Sequence, residues 1–157
     1  VLQIVITASA SLGDKPEVVW VAFMNAVAAF HDRLEERPPY RFVHGDATLV
    51  ERQLAERLRE AGREVATCPA DWKSHGREAG WRRNEWMVER ADALIAVWDG
   101  YSASTLHAAS LAAVRGIPWE CRIIGQQKGW FGAQDIHPRH LAPWEEEEVE
   151  QLGELVG

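Results

Sequence analysis

The chain has 157 residues, 46% of them apolar, enough for one domain that buries a core without disulfide or metal staples. Of its net charge of −7, six negatives come from Glu145, Glu146, Glu147, Glu148, Glu150 and Glu154; the near-neutral body that remains argues against a general nucleic-acid surface, which needs a basic stripe. Cys68 and Cys121 read as buried free thiols of a cytoplasmic protein, the histidines and cysteines show no metal-ligand spacing, and no apolar run reaches membrane-spanning length.

Residues 2–7 are apolar and β-branched, the pattern of a buried parallel strand. Residues 1–10 end in small side chains, as a signal peptide does. They lack a basic leader and the apolar part is too short, so a strand is expected. Residues 8–13 are small and polar, a loop. Pro16 suits a first helical turn, and residues 18–34 carry apolar side chains at helical spacing. Trp20, Phe23, Met24, Val27 and Phe30 are its expected buried face, and Pro38 and Pro39 lie beyond its end.

Tyr40–His44 is the second strand. Asp46 or Thr48 caps a helix whose apolar face is Val50, Leu54, Leu58 and Ala61, stopped by Gly62. Residues 63–68 form the third strand. Residues 69–80 contain Pro69, Gly76 and Gly80 without apolar periodicity, so a long ordered loop is expected, and such loops tend to be functional. Residues 81–90 form a helix with Trp86 and Met87 facing the core. Ala93–Trp98 is a continuous apolar strand, residues 99–105 a loop, and residues 106–115 a helix stopped by Gly116. Residues 117–124 make a fifth strand, with Pro118 at a strand end or edge. Residues 126–140, with Gly129, Gly132 and Pro138, read as an irregular extension. Residues 143–156 read as a short acidic helix.

This alternation predicts an α/β fold: a Rossmann-like three-layer sandwich around a parallel five-stranded sheet, order 3-2-1-4-5. Residues 1–124 form that domain and residues 125–157 a C-terminal extension. The chain reverses between strands one and four, and ligands bind beyond the carboxyl ends of strands at such a point. The loops at residues 8–13 and 99–105 therefore share one cleft, flanked by residues 45–48 and 69–80.

Several side chains suit an anionic, flat ligand in that cleft. The amides of residues 99–105, with Ser102, Ser104 and Thr105, can hold a phosphate at a helix start. Trp72, His75, Trp81, Arg82, Arg83 and Asn84 add aromatic faces and cations. The series Pro69-Ala70-Asp71-Trp72, His75-Gly76, Ala79-Gly80, Arg83-Asn84 and Met87 closely resembles the YspA-type branch of the SLOG superfamily. That Rossmann-like group is related to the Lonely-guy cytokinin-activating enzymes and to the DNA-processing protein DprA. The resemblance covers residues 2–120.

The resemblance implies binding of nucleotides or nucleotide-derived small molecules, by enzymes in some members and sensors in others. It also marks departures. Ser104 stands where relatives carry a glycine before the threonine. In the second loop Asp46, Thr48, Leu49 and Glu51 replace a glycine, a basic residue, a glycine and an aspartate. The first loop reads Thr7-Ala8-Ser9-Ala10 where relatives read Thr-Gly-Ser-Arg. Two cations are thus missing, which points either to a different or less charged ligand or to a site that has decayed.

Pattern and resemblance together designate Thr7, Ser9, His44, Gly45, Asp71, Trp72, His75, Arg83, Asn84, Asp99, Gly100, Ser102, Ser104 and Thr105 as ligand-binding; they select no particular catalytic residue, and no metal or cofactor beyond a nucleotide-like ligand is expected. The leading expectation is a nucleotide-binding or sensing protein. The alternative is an N-glycosidic-bond hydrolase of the nucleoside-monophosphate phosphoribohydrolase type. Its relatives carry a glutamate three residues after the threonine; Ala108 stands there, and Asp71, Glu85 or Asp99 would have to substitute. A DprA-like role on single-stranded DNA ranks third. Eight tryptophans suggest an aromatic self-association face, so a homodimer or higher homo-oligomer is expected.

Overall fold

Strand β1 (Leu2–Ala8) lies in the middle of the sheet, hydrogen-bonded in parallel to β2 (Tyr40–His44) on one side and β4 (Ala93–Trp98) on the other. The computed structural model describes residues 1–36, 38–125 and 133–136. Strand β3 (Val65–Thr67) extends the sheet beyond β2, and β5 (Trp119–Ile124) beyond β4, both parallel. The five parallel strands run in the order 3-2-1-4-5.

Helices cover both faces, and each strand buries alternate side chains on each. On one face Ile4, Ile6, Phe42, Ile95 and Val97 meet Phe23 and Val27 of α1 (Pro16–Asp32) and Leu54 and Leu58 of α2 (Leu49–Glu60). On the other, Val5, Leu94 and Ala96 meet Met87 and Val88 of α4 (Ala79–Glu89) and Ala108 and Ala112 of α5 (Ala103–Arg115). Burial on both faces explains why the central strands carry continuous apolar runs rather than alternating ones.

Several expectations need correction. A sixth strand, β6 (Ala133–Ile136), pairs antiparallel with β5, inside the stretch read as irregular. The rest of residues 126–140 and the expected acidic helix at 143–156 lie outside the described residues. The stretch 69–80 is not a plain loop: it contains a short helix, α3 (Trp72–His75), and a 3-10 turn at Gly76–Glu78. Helix α5 begins at Ala103, three residues early, so Ser104 and Thr105 belong to its first turn. Trp86 is 49% exposed and Met24 40%, although both were expected in the core. Ala61 is exposed rather than part of the buried face of α2, and Cys68 is only half-buried.

Two charges inside the sheet went unread. Glu120 and Arg122 on β5 are both buried and joined at 2.8 Å. Glu120 also pairs with Arg33, and Arg122 Nε donates to Asn25 Oδ1 at 2.9 Å. Charges survive at such depth only when paired and hydrogen-bonded.

Candidate functional site

After Ala8 the chain turns toward α1; after Trp98 it turns toward the opposite face and α5. A crevice opens where these neighbouring strands part. A hydrogen-bond cluster fixes its base. The Ser9 amide donates to the Val97 carbonyl at 3.0 Å, and Ser9 Oγ accepts from the Asp99 amide at 3.1 Å. Ser9 Oγ also reaches Thr105 Oγ1 at 3.4 Å. Ser11 Oγ donates to Asp99 Oδ2 at 2.6 Å, while Asp99 Oδ1 accepts from the amides of Tyr101 and Ser102. Burial opposes the Asp99 charge, but these donors outweigh it and hold the carboxyl below its ordinary value. Gly100 takes φ +85 within this turn, a conformation that favours glycine.

Asp99 thereby presents the start of α5. Ser102 at the cap position is extended, and its side chain makes no capping bond. The first-turn amides of α5 carry the positive end of the helix dipole toward the crevice. Ser104 has no positive φ, so glycine is not needed there for conformation.

The second loop closes one flank. Thr48 caps α2: its Oγ1 accepts from the Glu51 amide at 3.1 Å and donates to the Ala8 carbonyl at 3.2 Å. Glu51 Oε2 accepts from the Ala47 amide at 2.9 Å. Thr48-x-x-Glu51 has the residue spacing of a capping box, although the carboxylate takes the amide of Ala47 rather than that of Thr48. Burial raises the Glu51 carboxyl above its usual value, against the pull of these amides and of Arg83. Asp46, at φ +52, binds Arg52 Nε at 2.5 Å, so its charge is already countered. His44 Nδ1 accepts from the Asp46 amide at 3.1 Å, which leaves Nε2 to donate to Thr67 Oγ1 at 3.3 Å. Burial lowers its pKa, so this imidazole is a neutral brace.

Helix α4 supplies the opposite flank. Arg83 is 8% exposed, and its Nη1 donates to the Gly45 carbonyl at 2.9 Å. Its Nε donates to Asn84 Oδ1 at 3.2 Å. Among the described residues no carboxylate lies within ion-pair distance of this guanidinium. Burial lowers its pKa, against the opposing pull of Glu51 and Cys68. A Cβ at Gly45 would stand 2.7 Å from three atoms of the Arg83 side chain, so the glycine is what admits the arginine. Asn84 Nδ2 reaches Ser104 O at 3.2 Å and His107 Nδ1 at 3.2 Å. The Trp81 ring meets His107 edge-on with centroids 4.0 Å apart. Burial, with help from the Arg83 charge, pushes the His107 pKa down to about 3, so it stays neutral.

These walls enclose a cleft of about 790 Å³, within the range of small-molecule sites. Of the residues expected to bind ligand, Thr7, Gly45, Trp72, Arg83, Ser102, Ser104 and Thr105 line it. Ser9, His44, Asn84, Asp99 and Gly100 stand behind that lining and hold it in place. Asp71 and His75 do not line the cleft; both are exposed, and Asp71 caps α3 by accepting from the Ser74 amide. Glu51, Arg77 and Trp81 line the cleft without having been designated. The capping spacing was a readable signal for Glu51. Arg77 had none. Glu85, weighed as a substitute carboxylate, is exposed and outside the lining.

A second hollow of about 620 Å³ lies between the sheet and α4, lined by Val5, Val43, Ala66, Cys68, Trp86 and Met87 among others. It lacks the convergence of buried polar groups found at the strand ends. Among the described residues no cluster of histidine, cysteine or carboxylate side chains could hold a metal ion, and no helix is long and apolar enough to cross a membrane. No family model, no curated protein and no solved structure matches the chain.

Proposed function

We propose that the protein binds a nucleotide or nucleotide-derived small molecule in the cleft between β1 and β4, as a binding or sensing protein of SLOG type. One observation carries this: Arg83 is buried in the cleft wall, unpaired with any described carboxylate, near the open amino end of α5. A buried guanidinium without a counter-ion is costly, and an anionic ligand group would offset that cost. Trp72 and Trp81, in the same lining, suit the flat face of a base. The motif 69–87 adds the resemblance that names the ligand class. We further infer that the protein acts in the cytoplasm as a homodimer or higher homo-oligomer.

Isothermal calorimetry against a panel of nucleoside mono-, di- and triphosphates and their derivatives tests the reading. Binding by at least one, weakened about tenfold or more in Arg83→Ala, is expected. Silence across the panel would sink it.

Glu51 favours one second reading. It is a buried carboxylate in the cleft with its pKa raised, as a proton-transfer group would need. Hydrolysis of an N-glycosidic bond would then leave free base from a nucleoside monophosphate, measurable by chromatography. Against it, Glu51 Oε2 is engaged by the Ala47 amide. The helix position that carries the glutamate in Lonely-guy proteins is Ala108, which packs in the core. No base release at high protein concentration would reject this reading and leave the binding reading intact.

A further inference from the structure

We propose that residues 70–78 form a lid that closes over the cleft and brings Trp72 and Arg77 onto the bound nucleotide. This rests on the ligand reading above and adds to it a moving element and a second cation. The segment joins the end of β3 to the start of α4 and holds α3 with the 3-10 turn that follows. Residues 71–78 are all exposed, and two of them, Trp72 and Arg77, line the cleft. Among the described residues, the hydrogen bonds of residues 70–77 stay within the segment or reach the first turn of α4. Asp71 accepts from the Ser74 amide through Oδ1 and from the His75 amide through its carbonyl, and the Gly76 carbonyl accepts from the Ala79 amide. None ties the segment to β1, to residues 45–48 or to α5. A stretch with no buried side chain and no outside hydrogen bonds lies at the low end of local stability, from which lids are drawn.

Both ends are anchored. The Cys68 amide makes a last bond to the His44 carbonyl at 2.8 Å, and Ala79 is 1% exposed. Between them Gly76 takes φ +54 and ψ −128, a conformation that L side chains avoid, at the joint between α3 and the 3-10 turn. The charge of the lid suits an anion. Asp71 is engaged in capping α3, and Glu78 pairs with Arg82 at 3.0 Å. Among the described residues no carboxylate stands within ion-pair distance of Lys73 or Arg77. The lid therefore presents positive charge, with Arg77 at the cleft. Trp72 leaves 63% of its surface in water. Closure onto a base covers that apolar face and supplies the driving force. Arg77 then meets the anionic group that Arg83 holds from the wall.

Limited trypsin digestion of the full chain, followed by mass spectrometry, is the test. In the free protein, cleavage after Lys73 and Arg77 is expected to outpace cleavage after Arg82 and Arg83 in α4. The tightest-binding nucleoside mono-, di- or triphosphate of the panel, at about a hundredfold over its dissociation constant, is expected to slow the first two cuts about tenfold or more. Arg77→Ala is expected to weaken binding of that nucleotide about tenfold, with Arg77→Lys in between. The Tm of the free protein should not move, because residue 77 is exposed. Slow cleavage after Lys73 and Arg77 in the free protein overturns the lid whether or not a nucleotide binds. A bound nucleotide that leaves those cuts unchanged, or an Arg77→Ala variant with wild-type affinity, overturns the closure alone. The ligand reading then stands, since it depends on Arg83. No binding by any member of the panel overturns both.

Discussion

Arg83 and Gly45 are one unit, and the dependence runs from backbone to charge. Gly45 has no positive φ, so an alanine there meets no backbone strain. Its Cβ would instead strike the arginine side chain. Gly45→Ala is therefore expected to displace the guanidinium and weaken nucleotide binding, by less than Arg83→Ala, which removes the charge. Calorimetry of both variants checks the order; equal affinity to wild type in Gly45→Ala would show that the position of Arg83 does not matter.

His107 yields a prediction in pH. Its pKa falls from an ordinary 6.5 to about 3 on burial, so only the unfolded chain binds that proton between the two values. Its contribution to stability is complete above about pH 6.5 and is lost as pH falls toward 3. The expected slope is about 1.4 kcal/mol per pH unit within that window. His107→Gln lacks this titration, so its stability deficit against wild type should shrink as pH falls from 7 to 4, by chemical denaturation. A constant deficit would mean that His107 titrates alike in both states. Sequence patterns did not show this role: a lone histidine on a helix looks the same whether it is a ligand or a brace.

At the scale of elements, α3 shows what local patterns conceal. Four residues have no periodicity to read, yet Asp71 caps them and they present Trp72 to the cleft. None of the α3 residues is buried, and Trp72 is 63% exposed. Trp72→Ala should therefore weaken ligand binding while changing stability by about 0.5 kcal/mol or less. A large loss of stability in thermal unfolding would make Trp72 a core residue in disguise. The same limit set the start of α5. Ser102, Ser104 and Thr105 favour caps and turns over helix interiors, so the helix seemed to begin after them. In the fold, Asp99 arranges the preceding turn through local bonds to the Tyr101 and Ser102 amides, and Asn84 of α4 binds Ser104, a contact between two helices that no short window of sequence contains.

Strand β5 makes the converse point, because its apolar pattern hid charges. Glu120→Ala removes the carboxylate shared by Arg33 and Arg122. Breaking a buried pair by deleting one partner typically costs about 3–5 kcal/mol, and the midpoint of denaturant unfolding should fall accordingly. A near-neutral effect would show that water reaches Arg122.

At the scale of the whole molecule the sheet order was legible, because continuous apolar strands alternating with helices leave few right-handed windings. That order alone brings Ser9 beside Val97 and Thr105, so the crevice was legible with it. β6 was not: Ala133-Gln134-Asp135-Ile136 is short and half polar, and it is a strand because β5 offers a free edge. The orientation of Met24 and Trp86 was not legible either, since an apolar helix gives no sign of which apolar side faces out. Charge distribution supplies a last prediction. The body is near neutral, and the cleft's cation is buried rather than part of a basic surface. Long-range attraction is then weak, while the contact with Arg83 is little screened by salt. Nucleotide affinity should change only about twofold between 50 and 200 mM salt, whereas a protein gripping several backbone phosphates would lose orders of magnitude. Bound at about a hundredfold over its dissociation constant, the ligand should add about 2.7 kcal/mol and raise the Tm by about 5–10 °C at either salt concentration. A steep salt dependence, with tighter binding to single-stranded DNA than to mononucleotides, would move the anion from the cleft to the surface and restore the DNA-binding alternative.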